Sequence, residues 1–241
     1  MSRPSFRLVA LLLGLFFVGH AGAQSLTVTF RYLDPGKTAV RAFVPGSFNG
    51  WGQPYTPGTP SCIGAGHASA MTYDADGGFW HHTVTLQAGQ AYQYKIQVHH
   101  NEAGTECTWF SDPLNPVTVG ANNDSEVVIA DPMVFQPAGE VNADGLMTAV
   151  SAGVFGSQAF AQITFTVNGI ERTDGLDFYD PATGLFRFVL DVPVRAGSQF
   201  TITATDIVGR SVSAEIGELF SPIEWETEPF TTVKERFPVR A

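Results

Sequence analysis

Apolar and polar residues alternate with a period of two through most of the chain. Ser25-Leu26-Thr27-Val28-Thr29-Phe30-Arg31-Tyr32 puts an apolar side chain at every second position. That is the signature of a half-buried strand, because successive side chains on extended backbone point to opposite faces. The same reading predicts strands over 40–44, 79–86, 92–98 and 126–129, and then over 146–150, 161–167, 170–172, 185–192, 199–206 and 211–216. Turn residues separate them: Asp34-Pro35-Gly36-Lys37, Asp74-Ala75-Asp76-Gly77-Gly78, Ala88-Gly89-Gln90 and Asn168-Gly169. The last is the strongest short hairpin signal, since Asn and Gly both accept positive φ. No stretch carries a convincing amphipathic helix. The expected fold is all-β, two antiparallel β-sandwiches in tandem over residues 24–131 and 132–217, divided where Asp131-Pro132 breaks a strand. Residues 218–241, with Pro222, Trp225, Pro229 and Pro238 among charges, read as an irregular tail.

The first residues depart from this pattern. Arg3 and Arg7 precede the apolar run from Leu8 to Val18, and Ala21-Gly22-Ala23 follows, so residues 1–23 read as a secretory signal peptide cut near Ala23. No cysteine follows the cut to carry a lipid, and no later stretch is long and apolar enough to span a bilayer. A secreted or periplasmic protein is expected. Export alters two further readings. The net charge of −10 becomes −12 once the two arginines are gone, which argues against nucleic acid or anionic lipid as partner and is neutral toward an uncharged glycan. The two cysteines, Cys62 and Cys107, are expected to form a disulfide in an oxidising compartment, two free thiols being the alternative. Their spacing is not that of a zinc or CxxC site. The bridge would pin the two long loops, 52–71 and 99–108.

Candidate chemistry centres on Pro45-Gly46-Ser47-Phe48-Asn49-Gly50-Trp51. A strand ends there in a tight turn, Phe48 tucks back under the sheet, and Trp51 follows between two glycines with nothing local to cover it. An indole so placed can stack on the apolar face of a sugar ring, the alternative being a core residue. Trp80, early in its strand, reads as core. His81-His82 and His99-His100, with Glu102 and Glu106, invite a metal reading. Neighbours on a strand face opposite ways, however, so neither a metal nor a cofactor is expected. Asp74 and Asp76 are ordinary turn residues, and no carboxylate pair stands out as acid and base. No catalytic residue is assigned. In the second domain Phe178, Phe186, Phe188 and Phe200 sit at strand spacings and read as core.

The landmarks Gly46-Ser47-Phe48-Asn49-Gly50-Trp51, Asp76-Gly77-Gly78-Phe79-Trp80, Tyr92-Gln93-Tyr94-Lys95-Ile96, Trp109 and Asp112-Pro113-Leu114-Asn115-Pro116 fall in an order that resembles carbohydrate-binding module family 48. This is the early-set, immunoglobulin-like glycogen-binding domain of AMP-activated kinase β subunits and of branching and debranching enzymes. The resemblance implies a sugar site built from Trp51, Lys95 and Trp109, with Asn123 and Ser125 near the positions of a contacting threonine and asparagine. The loop 120–125 is shorter than the family's and the 99–108 segment longer. Lys95 shares a face with Gln93 and Gln97 by period two and can donate to hydroxyls, or it is a solvated strand charge. The run Thr203-Ala204-Thr205-Asp206, then Gly209, resembles the closing hairpin of bacterial immunoglobulin-like domains and implies a second sandwich of that kind.

The expected function is therefore a non-catalytic, secreted α-1,4-glucan-binding protein for starch, glycogen or maltodextrin, with a glycoside hydrolase as possible partner. Two alternatives stand beside it: the accessory front of an amylase-type hydrolase, whose barrel would need about 250 further residues, and a structural or protein-interaction module that does not bind sugar.

Overall fold

The computed structural model describes residues 24–216 except 35, 57, 59, 60, 143 and 196–198. The signal-peptide reading of 1–23 and the tail 218–241, including Trp225, lie outside the described residues. The described chain is all-β and antiparallel. In the first unit β1 (Ser25–Leu33), β4 (Phe79–Gln87) and β3 (Thr72–Asp74) form one sheet in the order β1-β4-β3. Facing it, β2 (Arg41–Phe43) pairs with β6 (Ile96–His99) and β6 with β7 (Cys107–Phe110), while β5 (Ala91–Tyr94) pairs with β9 (Asp124–Val128), which pairs with β8 (Thr118–Val119). The run predicted as a single strand over 92–98 is thus two, and the chain changes partners at Lys95.

The second unit has two four-stranded sheets. In one, β10 (Met133–Val141), β11 (Leu146–Phe155), β15 (Leu185–Arg195) and β14 (Tyr179–Asp180) follow in that order; in the other, β13 (Ile170–Arg172), β12 (Phe160–Val167), β16 (Phe200–Asp206) and β17 (Ser211–Ile216). Asn168 and Gly169, both at positive φ (51° and 79°), turn β12 into β13. Phe186 and Phe200 are buried in this unit's core with Ile163, Phe165 and Ile202, Phe188 lies among them, and Phe178 packs against it.

The alternation of β1 fails in its second half for a physical reason. Leu26, Val28, Phe30 and Tyr32 enter the first core as expected, but Thr29 and Arg31 on the opposite face are buried too. The second unit covers that face. Met133, Phe135 and Phe155, from β10 and β11, belong to the first core, the Phe135 ring standing edge-on to Phe30 at 5.4 Å. Beside them a bulge in β10 puts Gln136 at φ 48° and turns its carboxamide onto β1. Arg31 N–H donates to Gln136 Oε1 (2.7 Å), and Gln136 Nε2 donates to the Arg31 carbonyl (2.9 Å) and to Asp112 Oδ2 (2.6 Å). The Arg31 guanidinium, 2 % exposed, donates to Ser151 Oγ and to the Gln136 carbonyl. Burial lowers its pKa to about 10 against the opposing pull of Glu140 and Asp112.

Candidate functional site

The turn before Trp51 is closed by its own polar atoms. Gly46 N–H donates to Asn49 Oδ1 (2.8 Å) and Asn49 Nδ2 donates to the Val44 carbonyl (2.9 Å), so one asparagine ties both sides of the turn. Only glycine fits at 46, because a Cβ there would lie 2.7 Å from the Gln93 carbonyl oxygen. Phe48 lies beneath, its ring stacked 5.3 Å from Phe30. The chain then passes through three positive φ values, 70° at Gly50, 60° at Trp51 and 77° at Gly52. For tryptophan this left-handed conformation costs about 1–2 kcal/mol. It leaves the indole half-buried at the surface rather than in the core.

Gly52 brings the following loop close. A Cβ there would lie 2.4 Å from Ile63 Cδ1, at a φ that already disfavours side chains. Gly52→Ala is therefore expected to destabilise the protein by about 2 kcal/mol, read as a lower urea midpoint at unchanged slope. Ile63 and its neighbours are tied to β6 and β7. Ile63 N–H donates to Gln97 Oε1 (2.9 Å), Gln97 Nε2 donates to the Ser61 carbonyl (3.1 Å), and Thr56 N–H donates to the Cys62 carbonyl (2.7 Å). Tyr55 pairs with Ile63 as an isolated bridge. Cys62 and Cys107 form the expected disulfide, with Cα atoms 5.7 Å apart. The face shared by period two is thus open at Gln93 but covered at Gln97, which is fully buried and anchors the Cys62 loop.

Trp109 lies opposite Gln97 across the β6–β7 pair, one residue from the bridge's neighbour Thr108. Its Nε1–H is buried without a partner, so the indole presents carbon to its surroundings. Lys95 stands in the gap between β5 and β6. Its ammonium donates to the carbonyls of Asn122 (2.8 Å) and Asn123 (3.3 Å) and lies 3.6 Å from Asp124 Oδ1, which fixes the 120–124 loop. Asn123, at φ 52°, contributes its carbonyl to this cage and also accepts from Ser111 Oγ. Ser125 departs from the expected sugar contact: it is wholly buried, and its hydroxyl accepts the Asp112 N–H (2.7 Å). Asp112 in turn accepts from Tyr94 OH (2.7 Å), and Asn115 Nδ2 donates to Tyr94 OH (3.0 Å) and to the Glu126 carbonyl (2.8 Å). The Asp112-Pro113-Leu114-Asn115-Pro116 landmark is framework.

Trp51, Lys95 and Trp109 line one groove of about 640 Å³, together with Tyr55, Ser61, Asn122 and Asp124. This is within the usual size of a small-molecule site. The four additional residues were not singled out by any sequence pattern. The Tyr55 ring stands 85° to that of Trp109 at 6.0 Å between centroids. Trp80 packs against the first core instead.

The remaining candidates hold structure. Asp74 Oδ1 accepts the N–H groups of Asp76 and Gly77. Among the described residues no three His, Cys, Asp or Glu side chains are grouped to hold a metal. His82 Nδ1 meets the Ala70 carbonyl at 3.0 Å, and the buried His99 packs on Phe43 at 4.7 Å with Nε2 3.2 Å from Gln97 Oε1. Burial lowers the pKa of both below 6.5, with His81 adding to the effect at His82, and Arg41 and His100 at His99. With Nε2–H donating to Gln97, the His99 atom left to take a proton is Nδ1, which is buried without a partner. Both rings take up a proton less readily in the fold than in the unfolded chain, where the value is near 6.5. Their contribution is thus present above that pH and lost as pH falls through the lowered folded values. The thermal midpoint is expected to drop as pH falls below about 6.5, with a shallower slope in His82→Gln/His99→Gln.

No protein-family model matches this chain, and no curated protein does. Among solved structures, the crystal structure of the maltogenic amylase from S. marinus aligns over 81% of this chain and 29% of that one, at 11% identity and a TM-score of 0.26. The chain therefore spans less than a third of that amylase's length in the alignment.

Proposed function

We propose that this is a secreted, non-catalytic protein that binds α-1,4-glucans of the starch, glycogen or maltodextrin kind through the groove of its first unit. One observation carries the reading: three residues from separate parts of the chain, Trp51, Lys95 and Trp109, line a single groove. Two indoles supply apolar plates for the C–H faces of sugar rings, and Ser61, Asn122 and Asp124 supply groups for hydroxyls. Lys95 acts chiefly as the pin of the 120–124 loop, since its donors already meet Asn122, Asn123 and Asp124.

A holding role fits the groove better than hydrolysis. Asp124 is the one carboxylate among the described residues that line it, and it is paired with Lys95. Glycosidases use two carboxyl groups about 5–9.5 Å apart. A glycoside hydrolase acting on the same polysaccharide is the proposed partner. Export agrees with the disulfide, and no helix among the described residues is long and apolar enough to cross a membrane. The test is affinity electrophoresis of the mature protein through gels holding amylopectin, glycogen, cellulose or no polysaccharide. Retardation by the first two alone is expected, with no reducing sugar released from soluble starch. Equal mobility in all four gels would overturn the binding reading, and hydrolysis abolished by one carboxylate change would overturn the non-catalytic one.

A further inference from the structure

We propose that Tyr55 is a specificity-determining residue, which makes the groove accept a curled glucan chain and reject a flat one. The inference rests on the α-glucan reading above. Tyr55 is half-buried, lines the groove, and stands almost perpendicular to Trp109. A ring at 85° and 6.0 Å is a wall beside the Trp109 plate rather than an extension of it.

The wall is held in place. Tyr55 bridges to Ile63, Thr56 N–H bonds to the Cys62 carbonyl, Gln97 grips both Ser61 and Ile63, and the disulfide fastens Cys62 to the strand that carries Trp109. These ties around Tyr55 run to β6, to β7 or within the segment 55–63 itself, so Tyr55 and Trp109 keep one mutual geometry.

That geometry discriminates by polymer shape. In a β-1,4-glucan successive rings are turned over but stay in one ribbon, which needs a row of coplanar plates and a clear run beyond each. In an α-1,4-glucan each ring is tilted relative to the last, so the chain bends away from a plate that its first ring covers. A perpendicular wall obstructs the ribbon. It gives the tilted ring a second surface.

The test titrates maltoheptaose and cellohexaose into wild type, Tyr55→Ala, Tyr55→Phe, Cys62→Ser/Cys107→Ser and the triple variant, each first shown to be folded by near-ultraviolet circular dichroism. Tyr55→Ala is expected to weaken maltoheptaose binding about three- to tenfold, the range of a single aromatic contact, and to strengthen cellohexaose binding. Tyr55→Phe keeps the wall and is expected to keep the wild-type ratio of affinities. The cysteine pair should lower that ratio as Tyr55→Ala does, with the triple variant no lower, because both changes remove the same wall. A Tyr55→Ala protein with the wild-type ratio would overturn this inference and leave the α-glucan reading standing. A wild type that binds neither oligosaccharide would overturn both.

Discussion

Trp109→Ala and Trp51→Ala are each expected to weaken maltoheptaose binding about tenfold or more, measured by calorimetry on folded protein. A stacked aromatic platform contributes on the order of 1–3 kcal/mol, by analogy with base stacking and buried hot spots, and 1.4 kcal/mol is already tenfold. The two changes should differ in what they do to stability. Trp51 is held in a left-handed conformation outside the core, and alanine there keeps the backbone strain while giving up little packing, so its urea midpoint should hardly move. Trp109 touches Tyr55 and carries a buried Nε1–H, so its removal also loosens the Cys62 loop. Trp225→Ala, outside the described residues, is the control and should leave affinity unchanged. Equal losses from all three would show that the tryptophans act through folding, and the stacking account would fall.

Cys62→Ser/Cys107→Ser is expected to lower stability by about 4 kcal/mol. The bridge joins residues 45 apart in sequence, and the chain-entropy relation for a loop of that length gives this value through the unfolded state. For a chain of this size the thermal midpoint should fall by about 10 °C. The folded state adds its own reason, because the buried Gln97 bonds Ser61 and Ile63 on either side of the bridged Cys62. A midpoint shift under about 2 °C would show that the Gln97 bonds alone hold the loop.

What the sequence revealed follows the range of the forces involved. Strand periodicity and turn chemistry are local, so the strands from Ser25 and Phe79 and the Asn168-Gly169 hairpin could be read directly. Trp51, Lys95 and Trp109 could be named together because the landmarks around them fall in an order that resembles a known family. Tyr55 could not, because the loop after Trp51 has no periodicity and takes its path from a disulfide partner and from Gln97, both distant in sequence. The misreading of Ser125 has a similar origin. The family resemblance puts it near a sugar-contacting position, whereas here its hydroxyl is buried and accepts the N–H of Asp112. Gln97 lies on the face predicted for it, but a loop covers that face. Gln136 carried no signal in the sequence, since a glutamine among apolar residues marks nothing until a bulge turns it onto β1.

Gln136 also bears on how the molecule comes apart. Met133, Phe135 and Phe155 complete the first core from strands of the second unit, and Gln136 satisfies Arg31 and Asp112 at the same seam. Melting the second sandwich would strip the first of those apolar side chains and open Phe30 to water, so neither half has a folded state that ignores the other. The two are therefore expected to share one unfolding transition, read as a calorimetric enthalpy equal to the van't Hoff value. A sugar chain bound as proposed on Trp51 and Trp109 would then protect residues it never approaches, because its binding free energy would be drawn against the unfolding of the whole assembly.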